Sequence, residues 1–350
     1  MSVAGRRGQP LRILILGGTS FLGIHMTRIA QQRGHSVTLF NRGRTGAALF
    51  PEVEKLRGDR DGQLDALRGR EWDAVIDNCG YVPRTVRLAA ELLALKVQQY
   101  LFISTISVYA DFSRANDEGS SVARLADEHS EDRHSGYGAL KALCEQALDT
   151  VMPGRTTMVR PGLIVGPEDP TDRFTYWPAR AARGGEMLAP GDPQVSYQLI
   201  DARDLARFCL DALESGTLGV FNVTSPAGLF TIGDIVREGV AAAGALAQLG
   251  APAEPTWVSA EFLAELNVQP FVDLPGWFPQ SGAMGALHQT SVRRALEAGL
   301  QISPLAKTTR DTLAWHLARG EGARSKLRAG IAPEREREVL ALWHSKTPQP

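Results

Sequence analysis

The sequence predicts an α/β fold, a doubly wound parallel sheet that carries a smaller, mostly helical C-terminal lobe. Three observations predict it. Leu11 to Gly23, LRILILGGTSFLG, runs from a hydrophobic stretch into a glycine-rich turn and then a helix; a near-continuous apolar run marks a strand buried on both faces. That rhythm of short apolar run and helix-patterned stretch repeats to about residue 160, which implies right-handed crossovers and a parallel sheet. Beyond Gly228 the chain becomes mainly helical, with Pro- and Trp-bearing loops.

In order, the first helix runs from about Ser20 to Arg33, with Leu22, Met26, Ile29 and Ala30 on one face and Gly34 just past its end. Ser36–Phe40, Val53–Leu56, Asp73–Asp77, Gln99–Ser104 and Thr156–Arg160 read as further strands. Pro83 starts a helix with Val86, Ala89, Ala90, Leu93 and Leu95 apolar. Asp111 to Arg133 is rich in Asp, Glu, Ser and Arg, a surface loop or mobile insertion, before a helix from Ser135 to about Val151. Pro161 to Pro193 breaks the rhythm and reads as a long binding segment. A strand at Gln198–Ile200, a helix from Ala202 to Glu214 and a strand at Val220–Val223 follow. Helices are expected at Thr231–Ala243, Ala260–Leu266, Val292–Ala298, Leu305–Ala318 and Pro333–His344, the last with a solvated charged run over Glu334–Glu338. The domain division is residues 10–165 plus about 198–226, a lobe of 166–197 and 227–330, and a C-terminal helix and tail over 331–350.

Composition narrows the function. The 350 residues carry a formal net charge of −1 and no dominant basic stretch, which argues against a nucleic-acid surface. Cys79, Cys144 and Cys209 are widely spaced, so neither a disulfide framework nor a metal site is expected. Arg6 and Arg7 hint at an export signal, but the apolar run after them is short and enters the glycine turn. A cytoplasmic protein with no membrane span and a small-molecule substrate is the expectation.

Gly17, Ser20 and Gly23 stand three residues apart, with Thr19, Phe21 and Leu22 between them. Small residues there let a pyrophosphate approach the backbone, and the new helix points N–H groups at it. An ordinary strand–turn–helix corner would use glycine equally. At the end of the second strand, where an acid would bond the ribose of NAD, stand Asn41, Arg42 and Arg44. Arg42 or Arg44 suits a 2′-phosphate, so NADP is favoured, with NAD as the alternative. Asn78 and Cys79 end the fourth strand and suit a cofactor lying across the sheet edge.

Tyr137 and Lys141 share a helix face, one turn apart. A free phenol has a pKa of about 10, and a nearby cation favours its ionised form. Ser104, Thr105 and Ser107 supply hydroxyls just past the fifth strand. Hydroxyl, phenol and ammonium beside a phosphate-binding turn make a proton relay next to a nicotinamide. Arg173, Tyr176 and Trp177 in the irregular segment, and Trp277 and Phe278 further on, are candidate substrate contacts; ordinary lobe packing explains any single Trp as well.

GGTSFLG (17–23), Gly58-Asp59, FISTISVYA (102–110), YGALK (137–141), RPGLIVGP (160–167) and LIDARDLA (199–206) occur in that order. Together they resemble the extended or atypical branch of the short-chain dehydrogenase/reductase superfamily, with its NAD-dependent epimerase/dehydratase proteins. The resemblance covers Leu11 to Leu229 and continues more loosely; isoflavone-reductase-like and chloroplast stem-loop-binding proteins are similar too. It implies a Rossmann-type fold with Tyr137 as general acid/base. Lys141 would hold the nicotinamide ribose and lower the Tyr137 pKa. Thr105 would bond the substrate oxygen, with Ser104 and Ser107 as alternates. Asp59 would bond adenine, and Pro161 would lie near the carboxamide. Ser20 stands in place of the family's second glycine, and Ile106-Ser107 in place of the Asp-Glu pair of sugar 4,6-dehydratases. The 111–133 loop lengthens the Thr105–Tyr137 separation and suggests a lid. The implied function is an NAD(P)-dependent oxidoreductase. A nucleotide-sugar epimerase with bound NAD, or a non-catalytic cofactor-sensing or RNA-binding protein, is the alternative. Val86–Leu95 and Ala139–Leu148 leave a homodimer open.

Overall fold

A computed structural model describes residues 9–127, 129–246 and 250–346. Arg6, Arg7 and the 347–350 tail lie outside the described residues. Strands β1 (Arg12–Leu16), β2 (Ser36–Asn41), β3 (Glu54–Arg57), β4 (Ala74–Asp77), β5 (Gln99–Ile103) and β6 (Thr156–Pro161) join β10 (Gly219–Val223) in one sheet, β7 to β9 lying in the chain between. Its order is β10-β6-β5-β4-β1-β2-β3 and every pairing is parallel. The strand order reverses between β1 and β4, and such a switch point is the crevice where these sheets hold ligands.

Alternation of side chains divides the core. Ile13 and Ile15 face a layer containing α1 (Leu22–Gln32) and α5 (Ala202–Ser215); Leu14 and Leu16 face α2 (Pro83–Leu93) and α3 (Arg133–Val151). The apolar faces read as open to a dimer are largely spent here, since Val86, Ala89, Ala90 and Leu93 pack with Cys144 and Leu148. Helix α3 starts two residues before the predicted Ser135, because Asp132 accepts a bond from His134 N at 2.9 Å and caps it.

The lobe has its own core, built on α4 (Tyr176–Ala181), α6 (Ile232–Ala245) and α9 (Leu305–Ala318). Two parallel pairs stand apart from the main sheet: β7 (Leu163–Val165) with β9 (Leu199–Asp201), and β8 (Glu186–Pro190) with β11 (Glu254–Val258). The second pair lies in stretches read as irregular or helical, because EMLAP and EPTWV carry proline; a two-stranded ribbon has only edge strands and tolerates it. Helix α7 is Ala260–Glu265, α8 Arg293–Glu297 and α10 Glu321–Ser325. Helix α11 (Pro333–Lys346) keeps its charged run largely solvated and departs from that reading at Glu336. Glu336 is only 3% exposed, pairs with Arg180 Nε at 2.6 Å and accepts Leu188 N at 3.0 Å, while Val339 and Leu340 enter the lobe core.

The 111–133 loop is docked onto the rest of the chain. Phe112 O accepts Ala286 N at 2.8 Å, Asn116 O accepts Ser291 N at 2.8 Å, and Glu118 Oε1 accepts Asn222 N at 2.9 Å. Among the described residues no helix is long and apolar enough to cross a membrane.

Candidate active site

Parallel strands deliver their carboxyl ends to one edge, and a cleft of about 1410 Å³ opens there. The turn after β1 needs glycine for stated reasons. Gly17 and Gly18 take φ of 110° and 91°, open to glycine and rarely to other residues. A Cβ on Gly23 would lie 2.7 Å from Gly18 Cα, so this residue lets α1 close on the turn. Phe21, at φ 38°, precedes α1 without a side-chain cap, leaving first-turn N–H groups for a ligand. A Cβ built on Gly17 meets nothing nearer than 3.8 Å, so the backbone is bare on the cleft side. Bare backbone, uncapped helix and cleft fit a dinucleotide. Thr19, Ser20, Phe21 and Leu22 line the same space.

At the β2 end Asn41 is committed to the turn. Its Nδ2 donates to Gly17 O at 3.2 Å and its Oδ1 accepts Gly43 N at 2.8 Å. Arg42 and Arg44 line the cleft, with Arg42 NH1 3.8 Å from Asp59 Oδ2. Asn78, Cys79 and Pro161 line it from β4 and β6.

One buried pair here escaped sequence reading. Asp77, fully buried at the β4 end, takes both Arg60 terminal nitrogens at 2.7 Å and the Tyr100 hydroxyl at 2.8 Å. Its carboxyl pKa is lowered despite burial, because the Arg60 guanidinium outweighs desolvation. Arg60 NH1 also reaches Cys79 Sγ at 3.5 Å. The signal was a lone acid ending an otherwise apolar strand, AVID, with an arginine in the GDRD loop.

Thr105, Ser107, Tyr137 and Lys141 all line the cleft. Thr105 Oγ1 donates to Ser107 Oγ and accepts Ser107 N, both at 3.1 Å, in the single 3-10 turn Ile106–Val108. Tyr137 exposes 37% of its surface into the cleft, yet crowding by the walls raises its phenol pKa. Hydrogen bonding with Thr105 and the positive field of Arg173 act in the opposite direction. Lys141 departs from one of its two expected roles, lowering the Tyr137 pKa: its Nζ donates to Gly80 O at 2.5 Å and Ile103 O at 2.6 Å and lies 4.0 Å from the Phe102 ring centroid. Burial lowers its pKa to about 8, and Arg173 is the cation that acts on the phenol.

Tyr176 and Trp177 are not brought to the cleft. Both are essentially inaccessible in the lobe core, with rings 5.1 Å apart and Trp177 Nε1 donating to Pro275 O at 3.0 Å. The lobe needs large apolar side chains there, and the turn at Asp172 (φ 58°) leaves Arg173 on the cleft while the chain beyond enters the core.

Comparison with known proteins identifies the family and the fold. The chain is 28% identical over 236 residues to the chloroplast stem-loop binding protein of 41 kDa b from Arabidopsis thaliana, covering 61% of this chain and 58% of that protein. It therefore spans less than two thirds of that relative's length. It is 30% identical over 228 residues to 2-alkyl-3-oxoalkanoate reductase of Stenotrophomonas maltophilia strain K279a, covering 59% of this chain and 67% of that protein. In fold it is similar to the Bordetella bronchiseptica enzyme WbmH, solved with NAD+, at a TM-score of 0.64 and 15% identity over 89% of this chain and 100% of that one. The NAD dependent epimerase/dehydratase family matches residues 13–224, which hold nearly the whole sheet, and this chain belongs to that family.

Proposed function

We propose that this family member is an NADP-dependent reductase of a small carbonyl compound. One observation carries the reading: Thr105, Ser107 and Tyr137 line the same cleft as the glycine turn, and the end of β2 supplies Arg42 and Arg44 there and no acid of its own, Asp59 reaching Arg42 from the loop after β3. Residues 17–23 would hold the pyrophosphate against the start of α1. Arg42 would hold the 2′-phosphate by charge-assisted bonds, since Asn41 has already spent its acceptor on Gly43. Asp59 would bond adenine, Asn78, Cys79 and Pro161 would flank the nicotinamide half, and Lys141 would hold its ribose. A cofactor held there would be the hydride source for reduction at the substrate's carbonyl carbon. Tyr137 Oη gives its proton to the carbonyl oxygen, and Thr105 Oγ1 hydrogen-bonds the same atom. A phenol whose pKa is raised by crowding stays protonated at neutral pH, which suits an acid working in the reductive direction. Similarity to a protein named as a reductase supports redox turnover over epimerisation.

Tyr137→Phe tests the assignment. The variant is expected to bind NADPH as the wild type does while NADPH consumption with a ketone panel falls by about 10²- to 10⁴-fold. Unchanged turnover would remove Tyr137 from the mechanism.

A further inference from the structure

The lobe end of the cleft carries charge and apolar surface that come from outside the glycine turn and the β2 end. Arg173 and Arg328 both line it. They belong to one corner: Arg328 N donates to the carboxylate of Asp172 at 3.2 Å, and the Arg173 guanidinium lies 5.6 Å from the Phe271 ring centroid. Gly330 N donates to Val272 O at 3.3 Å and ties the Arg328 segment to the same loop. Among the described residues neither guanidinium forms an ion pair. Arg173 spends only Nε, on Thr171 Oγ1 at 3.1 Å, and that hydroxyl is itself held by Asp169 Oδ1 at 2.7 Å. The carboxylates lining the cleft are Asp59 and Asp61, both from the loop after β3 at the far edge of the sheet.

Beside the arginines the wall is apolar. Phe271 and Phe278 stack with centroids 5.4 Å apart, and Met284 and Leu287 line the cleft half-buried. An anion would find two guanidiniums that form no ion pair among the described residues, and a sugar would set part of its hydroxyls against rings and a thioether that return few hydrogen bonds.

We propose that the substrate is an amphipathic anion. Its oxyanion group, carboxylate or phosphate, is held by Arg173 and Arg328, and its acyl or alkyl body lies on Phe271, Phe278, Met284 and Leu287. The proposal rests on the reductase reading for the site's purpose, but its binding chemistry is separable. Because Arg173 acts electrostatically on the Tyr137 phenol, the anion sits on the side of the cleft where the proton is delivered.

The test is calorimetry on the full chain, first with NADP+ and then, with and without it, with hexanoate, octanoate, octyl phosphate, methyl octanoate and UDP-glucose. Octanoate is expected to bind with one-to-one stoichiometry, tightening by about three- to fourfold per methylene over hexanoate. Methyl octanoate should bind at least about tenfold more weakly, and Arg328→Gln should weaken octanoate by about tenfold while keeping the chain-length increment. Arg328 is exposed and its guanidinium has no acceptor among the described residues, so the variant leaves the packing intact. The order of octyl phosphate and octanoate assigns the headgroup. An ester that binds as tightly as the acid, no dependence on chain length, or UDP-glucose binding tighter than octanoate overturns the proposal. If NADP+ binds and no alkyl anion does, this inference falls and the reductase reading stands; if octanoate shows these trends and NADP+ does not bind, the reverse holds.

Discussion

Gly138→Ala sets two physical effects against each other, and the structure decides between them. Alanine is the better helix former by about 1 kcal/mol, so propensity alone predicts a more stable protein. Yet a Cβ on Gly138 would stand 1.9 Å from Ser107 O and 2.9 Å from Ser107 C, where ordinary contact begins near 3.4 Å, a shortfall of 1.5 Å. Both atoms are backbone, so no side chain can rotate away. Relief requires α3 and the 3-10 turn to part, and these two elements carry Tyr137 and Thr105. Overpacking costs about 1–3 kcal/mol, so the variant is expected to be destabilised by about 1–2 kcal/mol in urea unfolding. A displacement of about 1 Å at reacting groups costs roughly 10²-fold in rate. NADPH affinity should change little, since the Gly17 turn lies across the cleft. A variant more stable by about 1 kcal/mol with full turnover would show that helix propensity wins and that this contact does not set the site's spacing.

Arg60→Met leaves the Asp77 carboxylate buried with only the Tyr100 hydroxyl and Cys79 N, and should cost about 3–5 kcal/mol; adding Asp77→Leu should recover most of it, and equal losses in urea for single and double variants would deny the pairing. Lys141 makes stability depend on pH. Its folded pKa of about 8 lies below the ordinary 10.5, so between those values the unfolded chain binds more protons. The stability of wild type minus that of Lys141→Met should therefore be flat below about pH 7 and rise from about 8 to 10.5, by at most about 1.4 kcal/mol per pH unit. A difference that falls across this window contradicts the burial argument.

Much of this was legible because local chemistry dictated it. The run Ile13–Leu16 had to be a buried strand, and Gly17 and Gly18 had to turn where φ is positive. The YGALK spacing brought Tyr137 and Lys141 to one cleft. What stayed hidden depends on contacts distant in sequence. Nothing around Lys141 announces that its ammonium is held by Gly80 and Ile103, or that Arg173, from beyond β7, acts on the phenol instead. Tyr176 and Trp177 looked like binding-loop aromatics because the lobe core they fill is completed by Leu313, Val339 and Leu340, more than a hundred residues later. Glu336 sits in a run of charges whose other members are mostly exposed, and only its tertiary partner Arg180 distinguishes it.

The central claim, a cofactor cleft that selects the 2′-phosphate through Arg42, is tested most directly by calorimetric titration of NADPH and NADH into wild type and Arg42→Ala. The account predicts that NADPH binds more tightly than NADH to wild type, and that Arg42→Ala weakens NADPH by about ten- to a hundredfold while leaving NADH unchanged. NADH binding at least as tightly as NADPH, or an Arg42→Ala protein that keeps the full preference, would contradict it.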